Sequence, residues 1–350
     1  MTFRSTWIGS ILALTIGTNL CVAHAHDRTQ LLIGNSGDDS VVAFDERTGR
    51  YLGPFIVSGS GGLSEPDAIS FGPDGQLYVS SGRSTDESAV LRYDADTGVF
   101  VDRFARGGGL TRPYGHAWGP DGLLYVSSFS SDQILRYDAR TGAFVDEFAH
   151  GTGEPGSANG PNGLAFGPDG ALYVTTEGSV RGEFPGLPSE VLRFDLETGE
   201  VETFIAQPDP SPTSPGYVSL LGIVFGPNCS ARSSRANCDV FVSDFANDIR
   251  RYNQRGELIA RLSTNYTGTI PSSNATGALG FGAHDVLFTV GFDQRDGADN
   301  VGAVLRFDAR TNAARPLPPN PGALFVAPTD VLSRPIGLVS TSTRRDHCHR

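Results

Sequence analysis

The sequence predicts an all-β chain: a six-bladed β-propeller of four-stranded antiparallel blades, closed by pairing of its N- and C-terminal strands. Three observations lead there. The segment Phe71-Gly72-Pro73-Asp74-Gly75-Gln76-Leu77-Tyr78-Val79 returns from Trp118 and again from Phe166, with its turn aspartates Asp74, Asp121 and Asp169 offset by 47 and 48 residues. An LRYD-like segment recurs at Leu91–Asp94, Leu135–Asp138, Leu192–Asp195, Arg250–Asn253 and Leu305–Asp308, with an earlier copy at Val42–Asp45. Finally, the first copy opens on a second strand at Leu31, and the last strand-like piece, Pro335–Ser340, has no successor. A four-stranded unit of this period cannot bury both faces alone, so it needs a ring of its own kind. Joining the two orphan ends completes the sixth blade and removes two exposed edges.

The copy from Pro113 to Phe148 shows how each element is encoded. A first strand around Gly115–Trp118 ends at Gly119-Pro120-Asp121-Gly122, where Pro presets φ and Gly takes the positive φ of a tight turn. Leu124–Ser127 follows, with Tyr125 and Val126 as strand formers. The third strand, Ile134–Tyr137, closes at Asp138-Ala139-Arg140-Thr141-Gly142, a turn the Asp carboxylate can cap, and Ala143–Phe148 is the fourth. Degraded copies of the first turn stand at Phe225-Gly226-Pro227-Asn228 and Phe281-Gly282-Ala283-His284-Asp285.

The start of the chain does not belong to this pattern. Met1–Ala25 has Arg4, an apolar run from Trp7 to Leu20, and Ala23-His24-Ala25, the layout of a secretory signal peptide. The expected organisation is therefore a leader over 1–25, the propeller over 26–340 and a tail over 341–350, in a secreted or periplasmic monomer without a membrane span. Cysteine use agrees. Cys229 and Cys238 bracket an insertion in a hairpin that has lost its tight turn, and a disulfide there would restrain it by roughly 2–3 kcal/mol. Cys348 is left over in the tail. The net charge of −12, carried against 27 Arg and no Lys, excludes a lysine Schiff base and argues against nucleic acid or an anionic membrane as partner.

Chemistry in such a ring belongs where the repeats differ. Aligning the first strands puts Asp67, Tyr114, Asn162, Leu221, Gly277 and Ile336 at one level of the channel, with Glu65 just before Asp67. Two residues further on, His116 stands among Ile69, Leu164, Ile223, Leu279 and Leu338; it is either a satisfied core residue or a base. Glu177 lies one step beyond the end of its second strand. Oxygen ligands such as Glu65, Asp67 and Asn162 suit Ca²⁺ or Mg²⁺, and the same side chains can instead satisfy backbone at the channel mouth. The recurring Arg92, Arg136, Arg193, Arg251 and Arg306 read as a packing or ion-pair device. The long loops 151–160, 178–188, 207–217 and 293–302 are where partners would be met.

The repeat PxGLxFGPDGxLYV…VLRFD resembles that of NHL-repeat proteins and the related SMP-30/gluconolactonase-like propellers, over essentially the whole mature chain. That resemblance implies a divalent metal held by Glu, Asn and Asp of first strands, with Asn162 in Pro161-Asn162-Gly163 and Asp67 in Glu65-Pro66-Asp67 as counterparts. A fainter similarity to streptogramin B lyases would make His116 and Glu177 catalytic around Mg²⁺. Leu221, Gly277 and Ile336 stand where a full ligand set needs oxygen donors. The expectation is accordingly a ligand- or protein-binding module acting through its channel mouth and long loops, with a divalent-metal lactone hydrolase as the alternative.

Overall fold

The computed structural model describes residues 29–178, 186–226, 229 and 238–344. The leader expected over 1–25 lies outside them, as does the tail from 345 onward. The described chain forms six four-stranded antiparallel sheets. Five are sequential meanders whose innermost strands are Ile69–Phe71, Pro113–Trp118, Pro161–Phe166, Leu220–Phe225 and Asn274–Phe281 (blades 1 to 5). The innermost strand of blade 6 is Pro335–Ser340, from the C-terminal end, paired with Gln30–Asn35 through Leu31 with Ser340, Leu32 with Val339 and Ile33 with Leu338. The predicted closure is thus the one observed. Thr341 extends it by donating its N–H to the Gln30 carbonyl at 2.9 Å.

The repeated residues hold the blades together. The aromatic residue at the end of an inner strand packs on the Tyr of the preceding blade at three boundaries: Trp118 on Tyr78 at 4.7 Å, Phe166 on Tyr125 at 5.3 Å, Phe225 on Tyr173 at 4.9 Å. Buried Tyr needs a partner for its hydroxyl. Tyr78, Tyr125 and Tyr173 donate to Asp74, Asp121 and Asp169 of their own turns at 2.8–3.1 Å. Asp94, Asp138 and Asp195 each accept the amide of the Thr three residues on, at 2.8, 2.7 and 2.9 Å. The recurring arginines pair mostly inside their own blade, Arg92 with Asp102 and Arg136 with Asp146, while Arg251 crosses to Asn312 of blade 5 at 2.8 Å.

Inner strands meet around the channel at one level of small residues: Ala68, Gly115, Gly163, Gly222, Ala278 and Gly337. Ala68 donates its N–H to Tyr114 O at 3.1 Å across the blade boundary. A Cβ on Gly115 would overlap the Asn162 carbonyl, one on Gly163 the Leu221 carbonyl, and one on Gly337 the Asp67 carbonyl. The register of five inner strands also slips at this level, between Pro113 and His116, Pro161 and Leu164, Leu220 and Ile223, Thr276 and Leu279, and opposite Ile33–Asn35. Such bulges bend a strand and re-aim its side chains. Second-strand hydroxyls of Ser127, Thr175 and Ser243 accept the freed N–H groups of Gly115, Gly163 and Gly222 at 2.7–2.8 Å.

A meander sends its hairpins to alternate ends. The Gly-Pro-Asp-Gly and Asp-x-x-Thr-Gly turns therefore share one face of the ring. The loops between second and third strands and those between blades share the other. Cys229 and Cys238 are disulfide-bonded, with Cα atoms 4.8 Å apart, as the spacing predicts.

Candidate functional site

The loop-side mouth of the channel collects the charged residues that the repeat does not require. Four inner strands are preceded by an X-Pro dipeptide: Glu65-Pro66, Arg112-Pro113, Gly160-Pro161 and Arg334-Pro335. In all four, X has left-handed backbone, with φ of 45°, 53°, 57° and 48°. Glycine adopts this conformation without a steric penalty, whereas for a residue with a Cβ it costs on the order of 1–2 kcal/mol. Blade 3 uses Gly160. Blades 1, 2 and 6 place Glu65, Arg112 and Arg334 there instead, so strain is accepted to present charged side chains.

Those three side chains find one another. Glu65 is buried at 9% exposure, and its carboxylate receives Arg334 Nη1 at 3.1 Å, Arg112 Nη2 at 3.5 Å and the more exposed Arg83. Arg112 also donates through Nε to the Tyr114 hydroxyl at 2.8 Å, and its guanidinium lies 5.2 Å from that ring's centre. Phe129 backs Tyr114 at 4.6 Å. Asn162 is buried and donates Nδ2 to Glu177 Oε1 at 3.0 Å.

Asp67 stands among these groups. Burial pushes its carboxyl up to about 8, against the attraction of Arg334 and Arg112 and with the help of Glu177 and Glu65. Its side chain is half-buried among Glu65, Arg112, Arg334 and Glu177, and desolvation outweighs the attraction of the arginines. The phenol of Tyr114 is likewise pushed up to about 12 by burial, with the field of Glu177 adding to it.

The structure thus brings together Glu65, Asp67, Asn162 and Glu177. His116 is elsewhere. It lies past the ring of small residues, with Nε2 hydrogen-bonded to Ser70 Oγ at 2.7 Å and Nδ1 to Ser80 Oγ at 2.8 Å, and Trp118 Nε1 donates to the same Ser70 at 3.1 Å. Burial depresses its imidazole to about 4. The polar ends of the second strands cap loops: Ser81 accepts the Ser64 amide, Ser128 the Thr111 amide, and Asp244 the Ser219 and Ala246 amides. Two residues central to the mouth, Arg112 and Arg334, escape the alignment of first strands because they precede it. Their signal in the sequence is the X-Pro dipeptide whose X is glycine in one copy.

The other side of the mouth is apolar. Phe245, at the end of the second strand of blade 4, packs on Phe292, Ala275 and Ile336, its ring 6.0 Å from that of Phe292. Leu221 and Gly277 complete that side at the level of Asp67. A groove of about 470 Å³ opens away from the channel, between blades 5 and 6, and includes none of these residues.

As a home for Ca²⁺ or Mg²⁺ the donor set is poorly suited. Glu65 is already shared by three guanidinium groups, Asn162 turns its amide nitrogen to Glu177, and Asp67 lies in the field of two arginines. Among the described residues, no three His, Cys, Asp or Glu side chains are grouped as a metal site. Hard cations need several oxygens facing one point, and fixed cations beside them act against that.

No family model matches the chain, and no curated protein does. Solved structures do match its fold. The structure of a nidogen/laminin complex aligns at a TM-score of 0.58 and 13% identity, over 89% of this chain and 98% of that one. Virginiamycin B lyase from Staphylococcus aureus aligns at 0.51 and 16%, over 89% and 85%. A protein of unknown function from Bacteroides caccae aligns at 0.58 and 13%, over 89% and 98%. These likenesses show the fold alone.

Proposed function

We propose that the chain is a binding propeller of the NHL-like kind, and that its ligand sits at the loop-side mouth of the channel. The observation that carries this is the trio Glu65, Arg112 and Arg334, charged residues held in left-handed backbone where a sister blade uses glycine. Backbone strain at a mouth ringed by buried polar groups is a feature of ligand sites, where packing elsewhere maintains the geometry. The disulfide and the leader-like Met1–Ala25 support an exported protein, and no helix among the described residues is long and apolar enough to cross a membrane.

The alternative, a lactone hydrolase with Ca²⁺ or Mg²⁺ on Glu65, Asp67 and Asn162, is disfavoured by the arginines around those donors. His116 and Glu177, its candidate catalytic groups, are occupied by Ser70 and Ser80 and by Asn162. Nor does likeness in fold bring laminin binding or lyase chemistry to this chain.

A thermal-shift screen of a chemically diverse small-molecule library, with Ca²⁺, Mg²⁺ and EDTA as separate arms, tests both readings. Ligands should raise the melting temperature by mass action, and Arg334→Ala should cancel the rise; a ligand at 100 times its Kd adds roughly 2.7 kcal/mol. The metals and the chelator should leave it unchanged. A metal-dependent rise that disappears in the Asp67→Ala, Asn162→Ala double variant would restore the hydrolase reading. Hits indifferent to every mouth substitution would refute the mouth as the site.

A further inference from the structure

Resting on the mouth as binding site, we propose that its ligand is an organic monocarboxylate with an apolar body, its head group on Arg112 and Arg334 and its body against Phe245 and Ile336. Charge is the first reason. Three guanidinium groups, Arg83, Arg112 and Arg334, converge on the single carboxylate of Glu65. Glu177, held by Asn162, returns one more negative charge. Asp67 adds none near neutral pH, because burial holds its proton up to about 8. Asp39 and Asp132 accept the backbone N–H groups of Glu65 and Gly160 in the same loops, so the mouth carries no large positive excess, which suits a monoanion held by local donors better than a phosphate dianion.

Geometry is the second reason. Arg112 engages Nε with Tyr114 and Nη2 with Glu65, and Arg334 engages Nη1 with Glu65. Each keeps further N–H donors on a planar fork, the shape that matches the two oxygens of a carboxylate. Arg112 is fixed against the Tyr114 ring, which rests on Phe129. Preorganised donors reduce the ordering cost of binding. Asp67 lies in the field of both arginines, and its burial favours the neutral carboxyl, whose O–H can donate to a carboxylate oxygen.

The third reason is the asymmetry of the mouth. Blades 6, 1, 2 and 3 carry the X-Pro dipeptides and the charges. Blades 4 and 5 place Ser219 and Ala275 at the same register and contribute the half-buried Phe245, backed by the buried Phe292 and Ile336. An apolar body beside a charged head covers both halves, as in most small-molecule sites, where a few polar groups orient a largely apolar ligand.

Isothermal titration with 3-phenylpropionate, octanoate, 3-phenylpropionamide, phenethylamine and phenylphosphonate tests the assignment. At least one carboxylate should bind, and the amide and amine should bind at least about tenfold more weakly, the scale of one lost charged hydrogen bond. Arg334→Lys keeps the charge but removes the fork and should cost about tenfold, with an unchanged melting temperature showing that the ring is intact. Phe245→Ala should weaken all carboxylates while preserving their preference over the amide. Equal binding of amide and carboxylate, or a preference for the phosphonate or amine, overturns the ligand class; if that binding still responds to Arg334→Ala, the mouth stands as the site. Carboxylate binding that ignores both Arg334→Lys and Phe245→Ala overturns the class and the place together. No binding by any carboxylate overturns the class, and the library screen then decides the mouth.

Discussion

The two faces of this propeller meet the same backbone demand with opposite residues. On the turn face, left-handed positions are held by Gly98, Gly142 and Gly199, with φ of 69°, 71° and 74°, and by Asn312 at 61°. On the loop face the equivalent conformation before the inner strands is held by Glu65, Arg112 and Arg334. Glycine and asparagine tolerate this backbone; glutamate and arginine do not. The turn face is what a repeat looks like when each copy is selected for folding, with Asp94, Asp138, Asp195 and Asp308 capping amides. The loop face departs from that in three contiguous blades, 6, 1 and 2, and those departures converge on one channel mouth. The turn face also holds His284 and Asp285 at φ of 61° and 59° in its degraded blade-5 turn; what sets the mouth apart is that its left-handed Glu65, Arg112 and Arg334 pair with one another.

The comparison breaks most sharply at the ring of small residues under the mouth. Gly337→Ala should cost about 3 kcal/mol or more, since the new Cβ overlaps the Asp67 carbonyl and neither backbone can retreat within a closed ring. Gly75→Ala, in a turn where a Cβ meets nothing within 4 Å, should cost only about 1 kcal/mol from its φ of 76°. Urea denaturation of the two variants measures the contrast. Equal losses would mean that the inner strands are free to separate.

The faces should also differ in the sign of their pH dependence. Asp94, Asp195 and Asp308 are held below the ordinary carboxylate range by the hydrogen bonds of their turns. Such groups stabilise the fold above their unfolded pKa, and that contribution is lost as the pH falls through the folded value. Asp67 is the reverse. Its folded pKa is raised to about 8, so the folded state holds the proton more tightly than the unfolded chain does. Its contribution is full below the unfolded value near 4 and is lost as the pH rises through 8. Denaturation midpoints taken from about pH 5 to about pH 9 should fall in the wild type and fall less in Asp67→Asn. Identical slopes would place Asp67 in contact with bulk water.

Much of this was legible in the residues because repetition removes ambiguity. The Phe-Gly-Pro-Asp-Gly copies set blade number and strand order, and the orphan strand at Pro335 set the closure. The alignment of first strands placed Asp67, Tyr114 and Asn162 at one level, and the structure puts them there. The mouth arginines were harder to see. Arg112 and Arg334 look like ordinary loop residues until the backbone shows them in a glycine conformation. Arg250 was hidden for another reason. Arg250-Arg251-Tyr252 reads as a copy of Leu-Arg-Tyr, yet Arg250 fills the core position of Leu91, Leu135 and Leu192. It is fully buried, 2.8 Å from Asp244 and 3.1 Å from Asp248. Asp244 stands where Ser81, Ser128 and Thr176 end the second strands of blades 1 to 3. Two compensating changes six residues apart look like drift in a degraded repeat, and only their contact shows that they are a pair.

The smallest expected effect separates strain from pairing at the mouth. Arg334→Ala and Arg334→Gly both delete the contact with Glu65, and in both the left-handed backbone at position 334 is held by its own hydrogen bonds, Arg334 N to the Asn300 carbonyl at 2.9 Å and Ser36 N to the Arg334 carbonyl at 3.2 Å. Alanine keeps a Cβ and therefore keeps the strain; glycine releases it, at the expense of a more flexible unfolded chain. At an ordinary loop position with negative φ, alanine is the more stabilising of the two. Here the order should invert, with Arg334→Gly more stable than Arg334→Ala by about 1 kcal/mol. The same inversion should appear at Arg112, while at Gly160 the change to Ala should cost a similar amount. Thermal or urea unfolding of the five variants decides it. If alanine is as good as glycine at both arginine positions, the mouth is unstrained and the contrast between the two faces reduces to a difference in charge.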